Sequence, residues 1–238
     1  MNEPPAPVLS VRDLNIEFHD HLIPETVVYD FNLELYPGEI VGIVGESGSG
    51  KSMCALAVAG LLRRQDMKKS GEIIFDGYNL LNCPRSILRK YQGKDISIVF
   101  QEPMTALNPV KRIGWQIEET LRIHTTLSRA ECYEKVVKML RDVELPDPER
   151  VCRQYPHELS GGMRQRVMIA MAMICEPKIL IADEITTALD VIIQSQIIEL
   201  LKRLNRERKT AILFISHDLS LVKQLCGRVI VLKGGYIV

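Results

Sequence analysis

The chain has 238 residues, 46% of them hydrophobic, enough to bury the core of one large domain or of a domain with a lobe. Thirty basic residues balance thirty acidic ones, so no net field favours a nucleic-acid partner. No run reaches the roughly 18 apolar residues of a membrane span, Met1-Asn2-Glu3-Pro4-Pro5-Ala6-Pro7 lacks the regions of a signal peptide, and six cysteines without C-x-x-C spacing read as free thiols of a reducing cytosol.

In chain order, residues 1–7 read as a disordered lead-in. Leu14, Ile16 and Phe18 alternate, as do Phe31, Leu33 and Leu35, which predicts two half-buried strands with a loop at 19–25 between them. The two histidines of that loop, His19 and His21, read as solvated. Tyr36-Pro37-Gly38-Glu39 is a turn into the apolar run Ile40–Val44, a buried strand. Directly after it, Gly45-Glu46-Ser47-Gly48-Ser49-Gly50-Lys51-Ser52 fits G-x-x-x-x-G-K-[ST]. By average residue usage those four fixed positions recur about once in 30,000 windows, so an accidental match in a chain of this length is rare. The run Cys54–Leu62 then reads as a mostly buried helix closed by Arg63 and Arg64. Gly71–Gly77 and Ile96–Phe100 are two further strands, the second delivering Gln101.

From Glu102 to Leu159 the pattern becomes helical. Ile113, Ile117 and Leu121 form one stripe; Ser128-Arg129-Ala130-Glu131 is a capping box, with Tyr133, Val136, Val137 and Leu140 as a second buried stripe. Pro146-Asp147-Pro148 reads as a linker. Residues 102–159 therefore form a helical lobe inserted in an α/β domain. Strand character returns at Lys178–Glu184, apolar enough to lie buried on both faces of a parallel sheet. An amphipathic helix follows at Ile192–Leu204, then a buried strand at Thr210–Ser216 ending on His217, and a hairpin at Val229–Val238.

In open α/β sheets ligands bind beyond the carboxyl ends of the strands, and several strands here deliver polar groups to that edge. Glycines leave backbone amides free to ring an anion. Lys51 places a positive charge on β- and γ-phosphates, while the Ser52 hydroxyl can ligate Mg²⁺. Asp183 is placed to hold Mg²⁺ directly or through water. Glu184 could polarise an attacking water, and Gln101 could ligate the metal and sense the γ-phosphate. A second glycine-rich helix start, Leu159-Ser160-Gly161-Gly162-Met163, precedes a helix at Arg166–Ile174. Two phosphate-binding helix starts in one chain are more than a single ATP requires. The economical explanation is a pair of chains, each giving its second site to the other's nucleotide.

These segments together resemble an ATP-binding-cassette ATPase: the loop at 45–52, Gln101, the stretch 159–163, Asp183-Glu184, Ala188-Leu189-Asp190 and His217 occur in that family's order over nearly the whole chain. The resemblance implies a P-loop NTPase fold over residues 8–238, with a mainly parallel sheet, an antiparallel β subdomain and the helical lobe. It implies that ATP and Mg²⁺ bind between two ATPase subunits, identical or related. Glu184 is then the catalytic base and His217 a γ-phosphate contact; Ser160, Gly161 and Gly162 contact the nucleotide of the partner subunit, and Asp190 couples the sites. The family stacks an aromatic residue on adenine; Phe18 stands at the expected place, with Tyr29 as rival. Glu102–Pro109, Tyr155–Glu158 and Asp183–Asp190 resemble the ATPases of dipeptide, oligopeptide and nickel importers. The implied setting is the cytoplasmic face of the inner membrane, bound to permease subunits and served by an extracellular substrate-binding protein. A non-transport ATPase switch, or an ATP-dependent clamp with impaired turnover, is the rival function. Two departures stand out. Ile185 replaces the usual proline after the glutamate, freeing φ and an N–H, and the sequence stops where such proteins run on into a tail.

Overall fold

The computed structural model describes residues 6–19, 24–62, 66–101, 106–187 and 189–238. Most of the expected lead-in, His21, Arg63, Arg64, the stretch 102–105 and Ala188 lie outside the described residues.

Two sheets organise the chain. Strands β1 (Leu9–Phe18) and β2 (Glu25–Leu35) pair antiparallel, and β4 (Met67–Phe75) and β5 (Tyr78–Asn79) extend the sheet in the order β2-β1-β4-β5. The second sheet has the order β10-β9-β3-β8-β7-β6, built from β3 (Ile40–Gly45), β6 (Ile96–Val99), β7 (Ile179–Asp183), β8 (Ala211–Ile215), β9 (Arg228–Lys233) and β10 (Tyr236–Ile237). All its pairs are parallel except the terminal hairpin β9–β10. Residues of β7 and β8 are buried throughout, and alternate ones enter different cores. Ile179, Ile181, Leu213 and Ile215 face the antiparallel sheet and helix α1 (Lys51–Val58), whereas Leu180, Ala182, Ile212 and Phe214 face the helices. The parallel sheet is thus the middle layer, which is why its strands read as unbroken apolar runs.

The helical region holds α3 (Ile113–His124), α4 (Arg129–Asp142) and α5 (Pro148–Arg153), preceded in the chain by the short α2 (Arg85–Tyr91). Its apolar side chains share one core with α6 (Gly161–Met173), α7 (Val191–Arg208) and one face of the parallel sheet, so the lobe is fused to the sheet layer. The last helix, α8 (Leu219–Leu225), packs against α7 and β3.

Several expectations need correction. Helix α1 ends at Val58 instead of Leu62. Gly60, at φ 68°, closes it by bonding its N–H to Ala57 O while Leu61 N–H reaches back to Leu56 O, a Schellman pair. Pro146-Asp147-Pro148 is no linker: Asp147 caps α5, accepting from Arg150 N–H, and Pro148 fills the first helical position. Tyr133 is 44% exposed; Cys132 takes the buried position on α4 instead, in line with Val136, Met139, Leu140 and Val143. The capping box of Ser128 and Glu131 is present as expected. Helix α6 starts at Gly161, five residues before the expected Arg166, and α7 runs four residues past Leu204.

A polar network joins α7 to the end of α4. Arg166 of α6, almost buried, donates to Val143 O (2.8 Å), to the Glu144 carboxylate (2.9 Å) and to Gln196 Oε1 of α7 (3.2 Å). Arg203 donates to Glu144 (3.1 Å) and Arg208 to Asp142 (2.6 Å). Because the Glu144 side chain is half exposed, the ion pair itself is partly screened. Replacing Arg166 with Met removes the donors but keeps much of the packing, and is expected to cost about 1–3 kcal/mol, the usual penalty for stranding a buried acceptor, here Val143 O. Urea unfolding checks this; a midpoint equal to the wild type would show that the network does not hold the helices together.

Candidate functional site

Everything singled out at the strand ends lies at the carboxyl edge of the parallel sheet. The loop after β3 is shaped by glycine. Gly48 and Gly50 take φ 79° and 95°, and a Cβ on Gly50 would stand 2.7 Å from Val27 O. Gly50 also occupies the N-cap of α1 and offers no side-chain acceptor there. The first N–H groups of α1 have no intrahelical partner and point their positive end at the loop. Lys51 is 5% exposed; its Nζ donates to Gly45 O (2.9 Å) and Glu46 O (2.8 Å), so the ammonium is held across the loop by carbonyls. Ser49 Oγ is buried in the same loop with no partner among the described residues.

Asp183 ends β7 and is 8% exposed, accepting the Ser52 hydroxyl at 3.2 Å. Burial pushes its carboxyl above the ordinary aspartate range; the Ser52 bond opposes this, the neighbouring Glu184 adds to it, and Lys51 opposes it. Glu184 leaves the strand with φ 50°. Its N–H bonds to Ile215 O (3.0 Å), while its carbonyl accepts the N–H (3.3 Å) and hydroxyl (3.0 Å) of Thr187. The Glu184 carboxylate lies 3.5 Å from His217 Nδ1 and 3.4 Å from Thr187 Oγ1. His217 is presented by its neighbours: Asp218 N–H bonds to Ser216 Oγ, and Asp218 Oδ1 caps α8. That Ser-His-Asp arrangement is readable as a side-chain turn followed by a cap, a signal the sequence reading did not use.

A cleft of about 470 Å³ collects Ser47 to Met53, Gln101, Glu184 and Val27. Phe100, one residue before Gln101, turns instead into an apolar cavity beside the helices. Ser52 and Gln101 line this cleft, and the buried Asp183 carboxylate stands behind Ser52 rather than in the lining; this hydroxyl, amide and carboxylate suit a hard cation that keeps waters and shares ligands with phosphates. They do not make a dedicated metal cage, and no cluster of three acidic, His or Cys ligands occurs among the described residues.

Other expected residues stand apart from this cleft. Ser160, Gly161 and Gly162 do not line it. Ser160 caps α6, its Oγ accepting from Met163 N–H at 3.3 Å, and Asp190 caps α7, accepting from Ile193 N–H at 3.0 Å. The two helix starts touch, since a Cβ on Gly162 would lie 3.0 Å from Ile193 Cγ2. Neither aromatic candidate lines the cleft. Phe18 leans on the core of the antiparallel sheet, and Tyr29 is stacked on Tyr236 with centroids 4.2 Å apart. Ile185 is buried in the core on the helix side of the sheet.

Comparison with known proteins places this geometry in company. The ABC transporter family matches residues 28–187. The oligopeptide transport ATP-binding protein OppD of Escherichia coli strain K12 is 49% identical over 228 residues, covering 96% of this chain and 67% of that protein. The probable D,D-dipeptide transport ATP-binding protein DdpD of the same strain is 45% identical, covering 98% and 71%. Among solved structures, the dimeric ATP-binding cassette MJ0796 bound to ADP and Pi in a post-hydrolysis state superposes with a TM-score of 0.85 at 28% identity, covering 96% of each chain. The cbiO1 protein of Clostridium perfringens, part of the ABC transporter complex cbiONQ, gives 0.81 at 28% identity, covering 98% and 87%.

The raised carboxyl of Asp183 yields a stability prediction. A folded-state pKa above the unfolded one means the native chain holds that proton longer, so stability declines as pH rises from the unfolded value through the folded one. At neutral pH the ionised, buried carboxylate is therefore a cost in the nucleotide-free chain. Asp183→Asn is expected to raise the melting temperature at pH 7 without nucleotide by roughly 2–4 °C, the effect of about 1 kcal/mol on a chain of this size. Scanning fluorimetry without ligand checks it, and a lowered melting temperature would contradict the burial account.

Proposed function

The chain belongs to the ABC transporter family, and on that premise we propose that it is the ATP-hydrolysing subunit of a peptide importer. The observation that carries the proposal is the cleft that gathers the phosphate loop, Gln101 and Glu184 while excluding Ser160–Gly162. A chain built this way has the groups to bind and attack a nucleotide, plus a second helix start for which its own cleft has no use.

The roles follow from the chemistry of each group. The loop amides, the N-terminal end of α1 and the Lys51 ammonium bind the phosphates, competing with the loop carbonyls that now hold Nζ. Ser52, Asp183 and Gln101 would hold Mg²⁺, which would neutralise negative charge on the phosphates. Glu184 takes the proton of the attacking water, and His217, 3.5 Å from that carboxylate, contacts the γ-phosphate. Ser160 uses a lone pair to cap α6, which leaves its hydroxyl proton free to donate to an anion. With Gly161 and Gly162 it meets the nucleotide held by a second ATPase subunit, identical or related, and Asp190 sits between the two sites. Phe18 stacks on adenine in this reading.

Closure of the pair is favoured because ATP touches both chains only in the closed form. The motion is delivered to permease subunits at the cytoplasmic face of the membrane, which take their cargo from an extracellular binding protein. Peptide is preferred to nickel as cargo because the relatives described above are named for oligopeptides and dipeptides. No described helix is long and apolar enough to cross a membrane.

Replacing Glu184 with Gln keeps shape and hydrogen bonding but removes the base. Turnover is expected to fall about 10²–10⁴-fold, the range for a lost general base, with ATP binding retained and two chains per particle in saturating Mg-ATP. Phosphate release and light scattering measure the two properties; hydrolysis at the wild-type rate would remove Glu184 from its role.

A further inference from the structure

One side chain joins the hydrolytic turn to the helix start that serves the neighbouring subunit. Two backbone carbonyls here are bonded by residues three further on: the Glu184 carbonyl by Thr187, and the Thr186 carbonyl by Leu189 N–H at 3.2 Å. Thr186 is buried, and its carbonyl also accepts Gln194 Nε2 at 3.0 Å. Gln194 lies in the first turn of α7, its own N–H bonded to Asp190 O at 2.9 Å. The residue before it, Ile193, donates to the Asp190 cap and is the one that a Cβ on Gly162 would press against, at 3.0 Å. From Glu184 the connection thus runs through a turn to Gln194, then to Asp190 and the start of α6.

We propose that Gln194 is a positioning residue that fixes the distance between Glu184 and the half-site made by Asp190 and Ser160–Gly162. The inference rests on the roles proposed above for those residues. Apart from the 186–190 backbone, the amide of Gln194 is the polar tie described between the turn and α7. Without its donor the Thr186 carbonyl keeps Leu189 N–H, so no buried acceptor is stranded and the fold survives. What is lost is placement: the base can drift relative to the groups that close on the partner's nucleotide. Small displacements of positioned groups cost rate more than binding.

The test uses the full chain in Mg-ATP and two substitutions. Gln194→Met keeps length and removes the donor; it is expected to lower kcat about tenfold with KM for ATP changed less than about twofold. Gln194→Glu keeps the shape but, ionised near pH 8, faces the Thr186 carbonyl with an acceptor. Its kcat relative to wild type is expected to be low there and to rise as pH falls towards about 4.3, the ordinary glutamate value, as a protonated carboxyl regains an O–H donor. A packing role would produce no such recovery. Equal kcat in both variants and wild type at every pH, or a loss confined to KM, overturns the proposal. Should the Met variant fail to fold, the pH ratio of the Glu variant decides alone. A wild-type chain that hydrolyses no ATP would sink the underlying functional reading instead, a result distinct from active variants.

Discussion

Two ionisable side chains are held almost out of water at one edge of a sheet, and the architecture around them follows from that constraint. Lys51 opens α1 beyond the loop that leaves β3, and Asp183 ends β7, with β8 between the two strands. Buried charge is costly unless paired and hydrogen-bonded. The structure offsets the cost with loop carbonyls around Nζ and with the Ser52 hydroxyl on the carboxylate. It does not offset it fully, since burial still raises the Asp183 carboxyl. In the function proposed above, a nucleotide with its cation would supply what is missing. Holding these groups in register requires strands that cannot slide, and the middle sheet, packed on both faces by separate sets of alternate residues, is suited to that.

Much of this was legible because the signals are local. An apolar run, a glycine-rich loop and a lysine are contiguous in sequence, and the chain direction alone brings them to one edge. Parallel strands buried on both sides announce themselves as runs without alternation. Helix ends were less legible. Leu61 and Leu62 extend the apolar pattern of α1, but Gly60 can adopt φ 68° and the Schellman bonds end the helix there. At the other extreme, Gly161 and Gly162 have poor helix propensity, yet they form the first turn of α6 because Ser160 caps it, and at Gly162 a side chain would press on Ile193. Short α2 and α8, seven residues each, carry too little periodicity to be seen. Aromatic stacking was the least readable feature. The sequence offers Phe18 and Tyr29, but only three-dimensional packing reveals that Tyr29 already has Tyr236 as its partner.

Helix α7 emerges as the element where separate functions meet. Its first turn carries Asp190 and the contact with Gly162; further along, Gln196 and Arg203 join the network of Arg166 and Glu144 at the end of α4. A rotation of the lobe that disturbs α4 must therefore act on α7, and α7 in turn is bonded to the turn behind Glu184. Such a path is a chain of identified contacts, not a correlation, and it links the lobe, the start of α6 and the turn after Glu184 through one helix.

Ile185 makes sense within that turn. It occupies the first central position of the turn closed by Thr187 N–H on Glu184 O, a slot that proline fits well. Proline there would restrict the unfolded chain by about 0.4–1 kcal/mol, whereas burying an isoleucine side chain contributes about 1.5–3 kcal/mol. The chain exchanges backbone restriction for side-chain burial, since Ile185 is 2% exposed within the core shared by lobe and sheet. The exchange also bears on Glu184. A residue before proline is driven towards extended conformations, but Glu184 stands at φ 50°, with its carboxylate near His217 and Thr187. Isoleucine leaves that left-handed conformation open. The buried Ile185 and the left-handed Glu184 are thus neighbours in one turn, and the carboxylate that leaves that turn lies near His217 and Thr187.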